Sequence, residues 1–281
     1  MAILTLILLT GVLLLVVAIG IGARPGWALL LQRRPWLALR AMGSMYVGMP
    51  AFVLLLVWIL PLQRPVSAVL LSLAISPVLP PWGRKAAVVG GRNNDIIGLQ
   101  LLSSGIALLV IPLMLLLVEH VFSIQTTLDP LAVELVLLVT VAAPLALGMG
   151  TARWAPQAAP RLAALADRVG GILLLLGGLL LIVLRGPTIL GVIGQGTLGA
   201  ITAVVIAGLL IGHALGGPDP RTRGVLASAT IYRHPAIALV LASGSGMQPE
   251  DGVIGTVLLY MLVSLLVSIP YERWRRRVIG A

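Results

Sequence analysis

The sequence contains no cysteine. Disulfides, a thiolate nucleophile and Cys-ligated metals are therefore excluded. Charge is scarce as well: 10% of the 281 residues are charged, 59% are hydrophobic, and the mean hydropathy is +1.10. A soluble domain is about one quarter charged, so this chain cannot turn a charged surface to water on every side. Enzyme signatures are missing too, with no Gly-x-Ser-x-Gly, no His-Glu-x-x-His and no phosphate-binding loop closed by Lys-Ser/Thr. No catalytic residue, cofactor or metal-ligand set is assigned.

Acidic residues are rarer than basic ones: nine Asp and Glu stand against nineteen Lys and Arg, for a net charge of +10. Lys85 is the one lysine. In a soluble chain such an excess would point to nucleic acid. Here the arginines sit mostly in short loops beside apolar runs, the pattern that membrane insertion imposes. The partner implied is the lipid bilayer, and nucleic acid is set aside.

What the chain has in abundance is long apolar segments. Nine are long enough to cross a hydrocarbon core of about 30 Å as helices: Ala2–Ile21, Trp36–Leu60, Val66–Pro80 continuing to Gly91, Asp95–Phe122, Leu131–Gly148, Ala164–Leu184, Val192–Leu215, Arg223–Ser243 and Val253–Pro270. The first has no Lys or Arg before it and too long an apolar run for a signal peptide, so it is read as a retained helix. With the N-terminus outside, nine crossings place fourteen arginines on the inner side, from Arg24, Arg33 and Arg34 to the Arg273-Trp-Arg-Arg-Arg277 cluster. The outer side receives Arg64 and Arg185, with the acids Glu119, Asp129, Glu250 and Asp251. That bias predicts a multi-pass protein of the cell (inner) membrane with its N-terminus outside and its C-terminus cytoplasmic.

Three cations fall inside spans. Arg233 lies ten residues past Arg223, about 15 Å along a helix and near mid-membrane, and Lys85 lies about 10 Å in from Arg92. Arg84 neighbours Lys85 and is free to reach elsewhere. Both sites sit where a helix should break: Ser76-Pro-Val-Leu-Pro-Pro-Trp-Gly-Arg-Lys85, with Pro80, Pro81 and Gly83, and Ala229-Thr-Ile-Tyr-Arg-His-Pro-Ala236, with Pro235. Interrupted spans in corresponding halves of a chain mark transporter binding sites. A bare cation at the bilayer centre costs about 2.5–3.5 kcal/mol. No acid is expected deep in any span, since Asp95 lies near an inner end and Glu134 near an outer one. A bound anion would supply the missing counter-charge. Candidate binding residues are Lys85, Arg233, His234, Arg84, Thr230 and Tyr232, with Gln100, Ser103, Ser104 and Asn94 from the segment that follows the first break. Each has a structural alternative: His234 can serve broken-helix backbone, Gln100, Ser103 and Ser104 can bond between helices, and Asn93-Asn94-Asp95 reads as a turn and N-cap. His120 and His213 are read as interfacial. Gly170-Gly171 and Gly177-Gly178 are read as helix-packing positions.

The order of these features resembles the bile acid:sodium symporter family. "GARPGWALLLQRRP" (22–35) resembles its inner loop, and "MYVGMP" (45–50) matches a Met-Pro that breaks the next helix. "PPWGRKAAVVGGRNND" (80–95) and "TIYRHPAIALVLA" (230–242) fall where that family has its two crossing segments. The similarity covers essentially the whole chain in order and spacing rather than in identity. It implies an all-α fold with inverted repeats: a panel domain from 1–34 and 130–186, and a core domain from 35–129 and 187–281. Two discontinuous helices, near 76–92 and 223–243, would cross in that core. It also implies a secondary transporter of a small or amphipathic organic anion working by alternating access.

Two departures stand out. By this resemblance the chain is expected to begin at the family's second helix, giving nine spans rather than ten. The sodium ligands are also missing: no Ser-Asn pair stands near Lys85-Ala86-Ala87, Ala229 replaces the Glu, Arg233-His234 replaces Gln-Asn, and Met45 replaces a Gln. Sodium needs hard oxygen ligands, so Lys85 and Arg233 are expected to replace it electrostatically. Coupling to sodium at a degenerate site, to protons through Lys85 or His234, or to nothing stays open; Arg stays protonated and cannot carry a proton. A sodium-coupled symporter, an anion channel and a non-transporting membrane scaffold are the alternative functions. Oligomeric state, the anion and the direction of net transport are not legible.

Overall fold

A computed structural model describes residues 2–23, 34–122, 135–194, 196–243 and 252–280. Arg24, Arg33, Asp129, Glu134, Glu250, Asp251 and the panel–core junction near 130 lie outside these residues, as do the side chains of Glu119 and His120.

The described chain is all-helical, without strands. Its helices are α1 (Ala2–Ile21), α2 (Pro35–Ile59), α3 (Arg64–Ile75), α4 (Trp82–Val88), α5 (Asn93–Phe122), α6 (Leu135–Trp154), α7 (Ala159–Leu184), α8 (Gly186–Val192), α9 (Thr197–Leu215), α10 (Pro220–Ile231), α11 (Pro235–Ser243) and α12 (Val253–Ile279). Seven of them, α1, α2, α5, α6, α7, α9 and α12, are long and apolar enough to cross a membrane. Only 11% of the spanning window of α7 is buried within the protein, although its mean hydropathy is 2.1. Water would not tolerate that apolar face, and lipid does.

Helix boundaries differ from the sequence expectation at informative places. Pro270 was expected to end the last span, but α12 runs through it to Ile279. The turns beyond it are anchored by Glu272 and Arg275, which are both buried and bonded to other helices. Asn93, Asn94 and Asp95 do not cap α5 from outside; they form its first turn. Asp95 there favours the helix N-terminus and pairs with Arg34. Met49-Pro50 does not break α2. The turns before it widen into a π-helix over Gly43–Gly48, where the Met49 N–H reaches back to Ser44 O. Ala143-Pro144 does the same in α6, which is π-helical over Leu138–Ala142. A proline has no N–H to give the preceding turn, and a π-bulge absorbs that defect without stopping the helix.

Two sets of packed helices result. Helix α1 lies against α6 and α7 through glycines: a Cβ at Gly170 would stand 2.8 Å from Gly11 O, and one at Gly177 would stand 2.8 Å from Leu8 Cδ2. The second set joins α9 to α2, α10 and α12, α3 to α11, and α4 to α5 and α10. The core it carries runs from Leu37 to Val263, includes Met45, Met49, Trp82, Leu226, Ile231 and Tyr260, and takes in Leu137 and Val141 of α6.

Candidate functional site

Two pairs of short helices in the second set are separated by only a few residues. Helix α3 ends at Ile75 and α4 starts at Trp82; α10 ends at Ile231 and α11 starts at Pro235. The extended stretches between them meet antiparallel at Val78 and Arg233. The Leu79 N–H donates to Tyr232 O and the His234 N–H to Pro77 O, each at 2.9 Å. Trp82, 1% exposed, ties α4 to α10 by donating its indole N–H to Ser228 Oγ at 2.9 Å. Helix α4 then closes on Gly90, whose φ of +88° suits glycine, with the Gly91 N–H bonded to Ala86 O.

At this meeting point Arg233 is 2% exposed. Its Nε donates to Thr230 O at 2.9 Å, its Nη1 to Ser76 O at 2.9 Å and its Nη2 to Met45 O at 2.6 Å. The reason for this ring lies in the backbone. The donor four residues after Ser76 would come from Pro80, which has none. The donor four residues after Thr230 is the His234 N–H, which is already given to Pro77 O. In the π-turn the donor for Met45 would come from Pro50. Arg233 thus answers three carbonyls that helix breaks and prolines orphaned, and an orphaned buried carbonyl is costly. Ser76 and Thr230 also lie at the C-terminal ends of α3 and α10, where helix dipoles favour positive charge. The Tyr46 ring lies 5.9 Å from the guanidinium carbon. Among the described residues Arg233 has no carboxylate partner.

The other expected site residues separate into distinct roles. Gln100 Nε2 donates to Val78 O at 3.0 Å, Ser103 Oγ accepts from the Val78 N–H at 3.3 Å, and the Tyr46 hydroxyl donates to Ser103 O. These residues hold the broken stretch in place. Thr230 Oγ1 donates to Leu226 O and approaches Ser44 Oγ at 3.2 Å. Asn94 is exposed on the first turn of α5.

His234 is 3% exposed, and its Nε2 lies 3.2 Å from Thr140 Oγ1 in the π-segment of α6. Thr140 gives its own proton to Val136 O, so the tautomer with the proton on Nε2 satisfies the pair. Nδ1 is then a buried acceptor with no partner among the described residues, and Ser104 Oγ is likewise unpartnered. Both π-segments thus meet the crossing: one through Met45 O on Arg233, the other through Thr140 on His234.

The expected lack of an internal counter-ion is corrected for two of the three cations. Lys85 Nζ lies 3.1 Å from both carboxylate oxygens of Glu272, and 5.8 Å from the centre of the Tyr232 ring. Glu272 lies beyond Pro270, on the part of α12 that the sequence pattern places outside the span. Arg84 grips Asp167 of α7 with Nε to Oδ1 at 2.8 Å and Nη2 to Oδ2 at 2.7 Å. A Cβ at Gly171 would collide with that guanidinium, so Gly171 provides the notch that seats it. His213, read as interfacial, takes part in a cluster with Tyr271 and Trp274 of α12.

The Arg84–Asp167 pair joins the two helix sets, and this has a measurable consequence. The native chain has no cysteine, so Ile19→Cys supplies a single thiol; Ile19 Cδ1 would stand 3.5 Å from a Cβ at Gly83 on α4. Both partners are half exposed, and such a pair contributes about 0.2–1 kcal/mol, up to about fivefold in an equilibrium. Arg84→Ala or Asp167→Asn is expected to raise the labelling rate of Ile19→Cys by a few-fold. The exchange Arg84→Asp/Asp167→Arg should return it toward the parent rate. An unchanged rate in all variants means that the pair does not hold the sets together.

Compared with known proteins, the chain matches no family model and no curated sequence.

Proposed function

We propose that the protein is a secondary transporter of a small or amphipathic organic anion, working by alternating access and without sodium. The observation that carries this reading is the guanidinium of Arg233 inside a shell of three carbonyl oxygens at the ends of two interrupted helices. That is the coordination a bound alkali cation would have, with hard oxygen donors aided by helix C-termini, and here a covalently fixed cation fills it. Counting α3–α4 and α10–α11 as one crossing each adds two to the seven long helices, for nine spans. The two packed sets correspond to panel and core domains: α1, α6 and α7 in the first, the remainder in the second. The seam between them contains His234, with its unpartnered Nδ1, and lies beside the N-termini of α4 and α11. In this reading the substrate sits at that seam, balanced by Lys85 and by the uncompensated charge of Arg233, and the sets rock about it. The arginine bias puts the N-terminus outside and the C-terminus in the cytoplasm.

The test is thermal stability of the purified full chain with pyruvate, isethionate and taurocholate, each in sodium and in choline buffer. A ligand that binds the native state raises apparent stability by mass action. At least one anion should raise the transition equally in both buffers, and Lys85→Ala or His234→Ala should remove the shift. A shift confined to sodium buffer overturns the sodium-free reading, and no shift with any anion counts against the carrier.

A further inference from the structure

Glu272, Lys85, Tyr232 and Ser268 form a polar cluster inside the second helix set, and so far Glu272 serves only to anchor α12 and to pair with Lys85. The Tyr232 hydroxyl lies 2.7 Å from Ser268 Oγ and 3.2 Å from Glu272 Oε1, while Ser268 Oγ donates to Leu265 O at 2.9 Å. Ser268 has therefore spent its single proton on Leu265 O. Tyr232 has one proton for two acceptors, Ser268 Oγ and Glu272 Oε1. With Glu272 ionised that proton is shared, and Lys85 supplies the rest of the carboxylate's needs. With Glu272 protonated the donors run one way without rearrangement: the Glu272 carboxyl to Tyr232, Tyr232 to Ser268, and Ser268 to Leu265 O. The cluster can hold one extra proton with every donor placed.

From this donor count and from the shared partner Lys85, the geometry points to Glu272 as a proton-binding residue that couples one proton to one substrate anion. The inference rests on the carrier reading. Lys85 can neutralise the Glu272 carboxylate or a substrate's negative charge, not both at once. A proton taken up on Glu272 releases the ammonium, whose side chain is 29% exposed, for the incoming anion. The pair enters as one negative and one positive charge, so the step is electroneutral, and the proton leaves when the anion does. Tyr232 ties the cluster to the crossing, because its carbonyl accepts the Leu79 N–H and its neighbour is Arg233.

The charged groups around Glu272 have their own engagements. Arg275 on the same helix donates to Pro220 O, and His213 of α9 faces Tyr271 and Trp274. Arg223 of α10 donates to Gly217 O, Arg221 stands at the start of α10, and Arg233 is held by three carbonyls. Arg64 opens α3, packed against α12 at the other end, and α8 and α11 carry no charge. Among the described residues Lys85 is the cation that touches Glu272.

Two measurements on the full chain separate this inference from the reading beneath it. Infrared difference spectra of the reconstituted protein, stepped from alkaline to acidic buffer, should show a protonated-carboxyl band that Glu272→Gln removes. Absence of that band, or its persistence in Glu272→Gln, overturns the proton site. Binding of taurocholate and isethionate, sulfonates that stay ionised throughout, is then followed by thermal shift. Their half-saturating concentration should fall with acidification by up to about tenfold per pH unit, the limit for one linked proton. In Glu272→Gln the value should be pH-independent. A purely structural ion pair gives a less stable Glu272→Gln with an unaltered pH profile, and that outcome overturns the coupling. If neither sulfonate shifts the wild type while the band behaves as expected, the proton site stands and the coupling to anion binding is lost.

Discussion

Arg233→Met is expected to lose at least about 3 kcal/mol of stability, because three buried carbonyls lose their donor and each such orphan costs about 1–3 kcal/mol. The side chain is 2% exposed, so water cannot replace the guanidinium without opening the crossing. Arg233→Lys keeps the charge but loses the fork that reaches three directions at once, and should fall between Met and the wild type. Arg233→Gln is the informative variant. It removes the fixed charge, leaves the three carbonyl oxygens and adds an amide oxygen, which together make a shell suited to a hard monovalent cation. Its melting temperature should be higher in sodium than in choline buffer, while the wild type shows no difference. A wild type that itself melts higher in sodium would show that an ion still binds, and that Arg233 has not taken its place.

The sequence made the breaks legible because proline chemistry is local. Pro80, Pro81 and Pro235 marked the interruptions between α3 and α4 and between α10 and α11, and the first helix was bounded correctly at Ala2–Ile21. That Arg233 lies away from the surface was legible too, since it falls ten residues past Arg223 within an apolar segment, and it is 2% exposed. Direction was not. Nothing in residues 230–236 says that Arg233 turns toward the carbonyls of Ser76 and Met45, because those acceptors come from segments more than 150 residues away. The same limit hid the partners of Lys85 and Arg84: Glu272 and Asp167 lie 187 and 83 residues along the chain. Pro270 misled because a proline ends a helix only when the turns beyond it lack anchors, and here Lys85 and Pro220 O provide them. The π-segments before Pro50 and Pro144 went unread for a related reason. The deficit a proline creates can be met by widening the helix as well as by stopping it, and tertiary contacts decide between the two.

Gly212→Ala is expected to destabilise the protein by about 1–3 kcal/mol, the usual cost of overpacking, although alanine is the better helix former. Gly208 and Gly212 lie four residues apart on α9, with Gly216 as its C-cap, a spacing that lets helix backbones approach closely. An added Cβ at Gly212 would stand 2.6 Å from both Ala227 Cα and Leu226 O of α10, and one at Gly208 would stand 2.8 Å from Ile231 Cγ2. The Ala227 and Leu226 atoms belong to the backbone, so relief requires α10 to move away, not a side chain to turn. Helix α10 ends in Thr230 and Ile231, whose carbonyls bind Arg233 and the Tyr260 hydroxyl. A shift there opens the carbonyl shell, and the loss should be accompanied by the same sodium response expected of Arg233→Gln, in weaker form. Gly199 is the control within the same helix: a Cβ there meets nothing within 4 Å. Gly199→Ala should be neutral or stabilising by up to about 1 kcal/mol, from helix propensity alone. Thermal unfolding of the two variants side by side separates packing from propensity, and equal behaviour would mean that α9 and α10 do not meet as closely as the crossing requires.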